Sequence, residues 1–272
     1  MRKIKIVCFF VFSVFYSVAQ ETDTLLVNYH PKEPFAIGVA GQLKGIEIEI
    51  VNEYVVWLKT VKKQSMEVKY NKFSNVDALY SATKMGFKNT IGLGALASQA
   101  NELKEVDFTV PYLKKVSFCV TNGKALDLKT KSKEDIVRVL GAMTALTLTN
   151  TALNPSLCEL KVLYLDDLKI INKANETIIL DAIAKNELFF AYVDAISFWF
   201  YVKSNPASFL KIQKKLSGSE EYLAFLLPNG SPHKALFNEF FNGLRGFKKS
   251  EKYNYILEKY LGVYLSQQMA VD

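Results

Sequence analysis

The sequence predicts an α/β fold arranged in two lobes, and three observations carry that expectation. Strand-like and helix-like runs alternate from 25 to 96, the order of a mostly parallel sheet covered by helices. The alternation restarts after a strand at 116–120, which Asn122-Gly123 closes as a turn signal. One segment leaves the first unit near 116–120 and another returns near 221–227. Two connections between α/β units make a hinge, and a hinge makes a cleft.

The elements follow in order. A short apolar run at 25–29 is a strand that His30-Pro31 ends. Gly45 opens the next segment, where Ile46, Ile50, Val51, Tyr54, Val55 and Leu58 recur at helical spacing. Residues 66–70 alternate like a half-buried strand. Ser74-Asn75 caps a helix through Val76, Leu79 and Tyr80 that stops near Gly86. An apolar strand at 90–96 completes the first unit.

The second unit reads as a short helix at 133–139 and a strand at 145–149. A helix at 152–160 follows, with Pro155 in its first turn, where proline is tolerated. Then come a strand at 161–164, a helix at 175–184, a strand at 189–193 and a helix at 196–202 ending before Asn205-Pro206. A strand at 221–227 and the turn Pro228-Asn229-Gly230 lead to two closing helices, 232–246 and 250–260.

Composition narrows the function classes. The chain has 272 residues, 50% of them hydrophobic and 13% aromatic, ample for a buried core and unlike a disordered chain. The formal charge is +7, but Arg2, Lys3 and Lys5 supply three of it, leaving about +4 spread along the rest. Dispersed lysine describes a solvated surface, so no nucleic-acid partner is expected.

Those first basic residues precede an uncharged apolar run at 6–18, too short to span a membrane comfortably. Ser17-Val18-Ala19 before Gln20 has the small-x-small form of a cleavage site, so 1–19 is expected to be a signal peptide and the protein periplasmic. Cys8 lies inside the run, not at its end, which argues against a lipid anchor there. Residues 189–202 are very apolar, but the stretch is short and carries Asp194. Beyond the leader, Cys119 and Cys158 either pair in an oxidising compartment or remain free thiols. The two histidines, His30 and His233, stand far apart in sequence. No metal site, cofactor or histidine dyad is therefore expected.

Several blocks together resemble the bacterial extracellular solute-binding proteins, family 3, of the polar-amino-acid type. These blocks are Pro34-Phe35; Gly45-Ile46-Glu47-Ile48-Glu49; Asp107-Phe108-Thr109-Val110-Pro111-Tyr112; 183–186 through Tyr192-Val193-Asp194; and the ending Tyr253, Ile256, Lys259, Tyr260 and Gly262. The resemblance runs over nearly the whole chain after the leader. It implies a two-lobed type II periplasmic-binding-protein-like fold with two hinge crossovers. Lobe 1 would be 22–116 plus 223–272, and lobe 2 would be 117–222, with the ligand between them.

The resemblance also implies a pocket. Members that bind α-amino acids use an arginine on the carboxylate, a threonine at a helix start and an aspartate on the ammonium; a guanidinium fork matches a carboxylate and helix-start N–H groups favour an anion. Asp194 matches that aspartate, and it follows a strand at the carboxyl end where α/β ligands bind. It can equally cap the helix that follows. Thr149, Asn150 and Thr151 match the turn before a helix. Phe73 matches a ligand-stacking aromatic, with core packing as the plain alternative. Tyr29 is expected to point at the cleft, and Ala95, Ala97 and Ser98 to present backbone groups. The arginine position falls on Glu102, and Lys104 is the nearby cation that could substitute. Arg138 and Arg245 fall on helices away from the expected cleft. Asp194, Glu102 and two aromatics favour an amine-bearing or neutral polar ligand over a simple carboxylate.

The leading expectation is therefore a monomeric binding protein that closes over a small polar molecule for an ABC-type permease or a sensor. The alternatives are a degenerate relative serving as an interaction partner and, behind it, an exported dehydratase-like enzyme. The enzyme reading suffers because Glu102 and Asp194 fall on opposite lobes and the cleft lacks cations.

Overall fold

The computed structural model describes residues 23–39, 41–98, 105–149, 154–218 and 221–271. The expected leader, Glu102, Lys104, Asn150 and Thr151 lie outside them.

The chain begins with β1 (Asp23–Tyr29) and a small hairpin of β2 (Ile37–Val39) and β3 (Gln42–Lys44). Then come α1 (Ile46–Thr60), β4 (Met66–Lys72), α2 (Val76–Lys84) and β5 (Thr90–Leu93). Asn75 caps α2 by accepting the Ala78 N–H, as its sequence position predicts. Next are β6 (Val106–Phe108), β7 (Leu113–Lys115), β8 (Ser117–Asn122), α3 (Lys133–Leu140) and β9 (Thr144–Leu148). The second unit continues with α4 (Pro155–Leu163), β10 (Ile170–Lys173), α5 (Glu176–Lys185), β11 (Phe189–Asp194), α6 (Ala195–Ser204) and β12 (Leu210–Ile212). The return is β13 (Glu221–Leu223) and β14 (Leu226–Pro228), and α7 (His233–Asn242) and α8 (Glu251–Met269) follow.

Two five-stranded sheets result. The first runs β4-β1-β5-β14-β6 and the second β10-β9-β11-β8-β12. In the first, β1 lies parallel to β4 and β5, and β14 returns antiparallel. In the second, β9 lies parallel to β10 and β11, while β8 is antiparallel to β11 and β12. Between the sheets, β7 and β13 pair antiparallel, with Glu221 opposite Lys115 and their side chains 2.5 Å apart. These two strands are the crossovers on which a two-lobed molecule hinges.

Apolar periodicity explains the packing. β11 is buried on both faces: Ala191 and Val193 join one core cluster, Phe190 and Tyr192 another. The first cluster runs unbroken from Leu25, Ile91 and Leu227 of one sheet to Ile183, Val193 and Ile196 beside the other. In the first lobe Tyr54, Phe225, Phe237, Phe240 and Phe241 pack face and edge, with Tyr54 and Phe237 rings 3.8 Å apart. Each such ring contributes about 1.5–3 kcal/mol by burial.

Four sequence expectations are corrected. Residues 161–164 are not a strand. Asn154 and Pro155 start α4 three residues later than expected, so the helix runs through Leu163, and the strand is β10, at the β-branched pair Ile170-Ile171. The expected strand 221–227 is two strands. Ala224 turns its N–H to the Leu96 carbonyl and Phe225 to the Thr109 hydroxyl, which carries the chain from the hinge ladder to the first sheet. α7 ends at Asn242 before Gly243, so Arg245 sits in a turn rather than on a helix. α8 continues to Met269, bent at Gly262. Cys119 is buried and Cys158 half-buried, and both are free thiols; burial pushes the Cys119 thiol up to about 12. Among the described residues no helix is long and apolar enough to cross a membrane, and no group of three His, Cys, Asp or Glu side chains could hold a metal ion.

Candidate functional site

The carboxyl ends of β1 and β11 face the space between the lobes, the place where open α/β sheets leave a crevice. Asp194 ends β11 and begins α6. Its Oδ1 accepts the N–H groups of Ile196 at 3.0 Å and Ser197 at 3.1 Å. Its own N–H donates to the Glu176 carboxylate at 3.2 Å, at the first turn of α5. Asp194, Ile196 and Ser197 line a cavity of about 70 Å³ whose other wall is Lys32, Glu33, Phe35 and Ala95 from the loops of the first lobe. Lys115, Leu223 and Met269 close its hinge end.

That volume suits a few water-sized groups, well short of the several hundred cubic ångströms typical of small-molecule sites. The cavity does not end there. Glu33, Ile196 and Ser197 also line an adjoining open groove of about 530 Å³ that runs along α5 and α6 past Glu176 and Thr177. Together they make a two-sided crevice with Glu33, Glu176 and Asp194 on its walls. A separate cavity of about 680 Å³ lies beneath α4, lined by Asn154, Glu159, Tyr164 and Tyr192. Its lining residues all fall between Lys131 and Glu221, so it lacks the two-sided lining that hinge closure needs.

Ala95 is held in a left-handed conformation, φ +50°, an uncommon state for a residue with a Cβ. A fully buried carboxylate holds it there. Glu47, on the first turn of α1, accepts the Ala95 N–H at 3.0 Å and the Tyr112 hydroxyl at 2.7 Å, both on Oε1. Oε2 makes no hydrogen bond of good geometry among the described residues, although the Gly94 N–H and Lys32 act on the carboxylate electrostatically. Burial outweighs these partners and raises the Glu47 carboxyl above the usual carboxylate range. Tyr112 is also buried, and desolvation with the neighbouring Glu47 charge raises its hydroxyl well above the usual value.

Of the residues singled out from the sequence, Ala95 and Asp194 meet across the cavity. Tyr29 and Phe73 are neighbours, the Phe73 N–H donating to the Tyr29 carbonyl at 2.8 Å, but neither lines it. Tyr29 instead packs edge-on against Tyr70. Ala97 bridges Leu223, and Ser98 bonds the Tyr222 carbonyl through both its N–H and its hydroxyl, so both tie the first sheet to the hinge. Thr149 is exposed and bonds the Lys173 carbonyl through its N–H and its hydroxyl. Arg138 pairs with Asp135 on α3, and neither Arg138 nor Arg245 lines the cavity. Lys32, Glu33, Glu176 and Met269 were not foreseen. Lys32 and Glu33 follow the strand end at His30-Pro31 and Glu176 follows a helix cap, positions that could have flagged them. Met269 lies past the expected end of the last helix and carried no signal.

A sequence model of the "Bacterial extracellular solute-binding proteins, family 3" matches residues 25–263. Curated protein sequences yield no match. Among solved structures, the L-cystine solute receptor of Neisseria gonorrhoeae in its unliganded open conformation superposes with a TM-score of 0.65 at 15% identity, over 91% of this chain and 96% of the receptor. The second substrate binding domain of a putative amino acid ABC transporter from Streptococcus pneumoniae gives 0.64 at 19% identity, over 88% and 100%. Substrate binding domain 2 of GlnP from Lactococcus lactis, in the open conformation, gives 0.63 at 18% identity, over 89% and 97%. These likenesses establish the two-lobed fold, and the match over residues 25–263 places the chain in family 3 of the bacterial extracellular solute-binding proteins.

Proposed function

We propose that this solute-binding protein captures a small, polar, amine-bearing molecule between lobes formed by 22–116 with 223–272 and by 117–222. The observation that carries the reading is one cavity lined from both sides, by Glu33 and Ala95 on one wall and Asp194 on the other. A ligand touching both walls favours the closed arrangement by its differential affinity for it. Carboxylates at Glu33, Glu176 and Asp194 suit an ammonium group, and charge-assisted hydrogen bonds of this kind are about twice as strong as neutral ones. Two cations line the same cavity, Lys115, which pairs with Glu221, and Lys32, which would meet a carboxylate or hydroxyl elsewhere on the ligand. The leader at 1–19 would deliver the protein to the periplasm, where a monomer would serve an ABC-type permease or a sensor.

A second reading is a degenerate member that serves a protein partner. It is favoured by the positions of Arg138 and Arg245, neither of which lines the cavity. Thermal unfolding of the chain from Gln20 onward, against amino acids, polyamines and neutral polar metabolites, separates the two. A ligand at a hundredfold excess over Kd stabilises by about 2.7 kcal/mol. Stabilisation by amines that Asp194→Ala removes supports capture. A flat response across the panel sinks it in favour of the protein-partner reading, and a shift indifferent to that substitution sinks Asp194 as the ammonium contact.

A further inference from the structure

The family match stops at residue 263, yet α8 runs on to Met269. Just before that point Gly262 takes φ +72° and ψ 166°, a left-handed conformation that bends the helix into two arms. The bend is fitted to α6: a Cβ at Gly262 would stand 3.0 Å from the Trp199 ring. After the bend, Leu265, Ser266 and Met269 are buried, the spacing of one helix face.

The arm after the bend touches both lobes. Tyr264 stands with its ring 6.4 Å from Phe118, on β8 of the second sheet. Met269, with none of its surface exposed, lines the interlobe cavity between Phe35 and Ala95 of one lobe and Asp194 and Ile196 of the other. Two residues on, the Val271 N–H donates to the Tyr253 hydroxyl at 3.3 Å, which donates to the Tyr112 carbonyl at 2.7 Å. Tyr112 in turn donates to Glu47, the residue that holds Ala95 on the cavity wall. The segment is therefore packed against both sides of the hinge and bonded back to the scaffold of the cleft.

We propose that residues 263–271 are an intramolecular brace that restrains the hinge, with Met269 as the wedge set between the lobes. Lobe movement must pull Met269 from its packing or carry it along. The brace itself stands on this packing. Its consequence for affinity rests on the capture reading above: a brace leaving one molecule in ten free to rearrange weakens apparent affinity about tenfold.

A distance measurement without any ligand keeps the two claims apart. Spin labels at Val56→Cys on α1 and Val162→Cys on α4, both exposed, report the separation of the lobes in a Cys119→Ala, Cys158→Ala background. Met269→Ser and Tyr264→Ala are compared with the parent, in which the brace is intact, and thermal unfolding checks that each is folded. Tyr264 is partly exposed, so its truncation preserves the fold even where Met269→Ser does not. The expected result is a distance distribution that shifts or broadens by several ångströms in the folded variants. A distribution identical to that of the parent in a folded variant overturns the brace.

Discussion

The Glu47 carboxyl and the Ala95 N–H, 48 positions apart in sequence, meet at 3.0 Å beneath the wall of the cleft. One buried oxygen thus serves two donors, Ala95 and the Tyr112 hydroxyl, and fixes the backbone at the place where the first lobe faces Asp194. The cost is a buried carboxylate that burial pushes toward the protonated form.

This arrangement makes Glu47→Gln and Glu47→Ala behave oppositely. The folded carboxyl titrates above its unfolded value of 4.5, so its contribution to stability is fully present below that value and is lost as pH rises through the folded one. At pH 7, glutamine keeps an oxygen for both donors without the buried charge, and is expected to match or exceed the parent in urea. Alanine orphans the Ala95 N–H and the Tyr112 hydroxyl and leaves a void, costing about 2–4 kcal/mol. A Gln variant as unstable as the Ala variant would contradict this account.

Asp194 carries two roles that separate by substitution. Its carboxylate caps α6 through Ile196 and Ser197 while facing the cavity. Asparagine keeps a capping oxygen, so Asp194→Asn is expected to stay within about 0.5 kcal/mol of the parent, and Asp194→Ala to lose about 1 kcal/mol. Both remove the charge that an ammonium group would meet, worth about 1.5–3 kcal/mol, so both should weaken an amine-bearing ligand roughly tenfold or more by calorimetry. An Asn variant that binds as the parent does would reduce Asp194 to a helix cap.

The two-lobed α/β plan was legible because its parts are long and periodic. Ile46 to Leu58 and Phe189 to Val193 show their structure in spacing alone, and Asn75 and Asn175 mark helix starts that their side chains do cap. The three-residue strands β2, β3, β6, β7 and β12 were illegible, because three residues hold no period, and the partners of β6, β7 and β12 also lie far off in the chain. The same limit hid the break at Ala224-Phe225, which depends on Leu96 and Thr109 more than 100 residues earlier. In the cleft, Asp194 was readable from its strand end. Glu47 read only as part of an acidic-apolar alternation, since nothing local tells a buried carboxylate from a solvated one. Met269 acquires its place only through the bend at Gly262.

Gly45 is the clearest single position where side-chain freedom is absent. Its φ is +132°, and a Cβ there would lie 2.1 Å from the Phe35 carbonyl oxygen, which accepts the Glu47 N–H. Gly45→Ala combines left-handed strain with a backbone collision and is expected to cost about 3 kcal/mol or more. It should also weaken the start of α1 that aims Glu47. Gly38→Ala is the control: it meets nothing within 4 Å and should shift stability by less than about 0.5 kcal/mol. Equal urea midpoints for the two variants would show that the chain at Phe35 can yield.

His233 should make the first lobe acid-sensitive. The ring is 2% exposed, its Nδ1 lies 2.7 Å from the Tyr54 hydroxyl, and its Nε2 has no hydrogen bond among the described residues. Tyr54 itself is stacked on Phe237 at 3.8 Å, so neither partner can turn toward water without opening the aromatic core. Burial lowers the folded imidazole from 6.5 to about 4. The unfolded chain therefore takes up a proton first as pH falls. Stability from this group is flat above 6.5 and declines between 6.5 and 4, by up to about 3 kcal/mol at 1.36 kcal/mol per unit. His233→Phe loses the Tyr54 bond at every pH but has nothing to titrate. Carboxylates contribute alike to both proteins, so the difference between their urea stabilities at pH 7, 6, 5 and 4.5 isolates the imidazole. The gap should be constant from pH 7 upward and shift steadily in favour of the Phe variant below 6.5. A gap that does not move with pH would mean that the imidazole reaches solvent, and that the Tyr54 and Phe237 packing opens far more readily than its geometry implies.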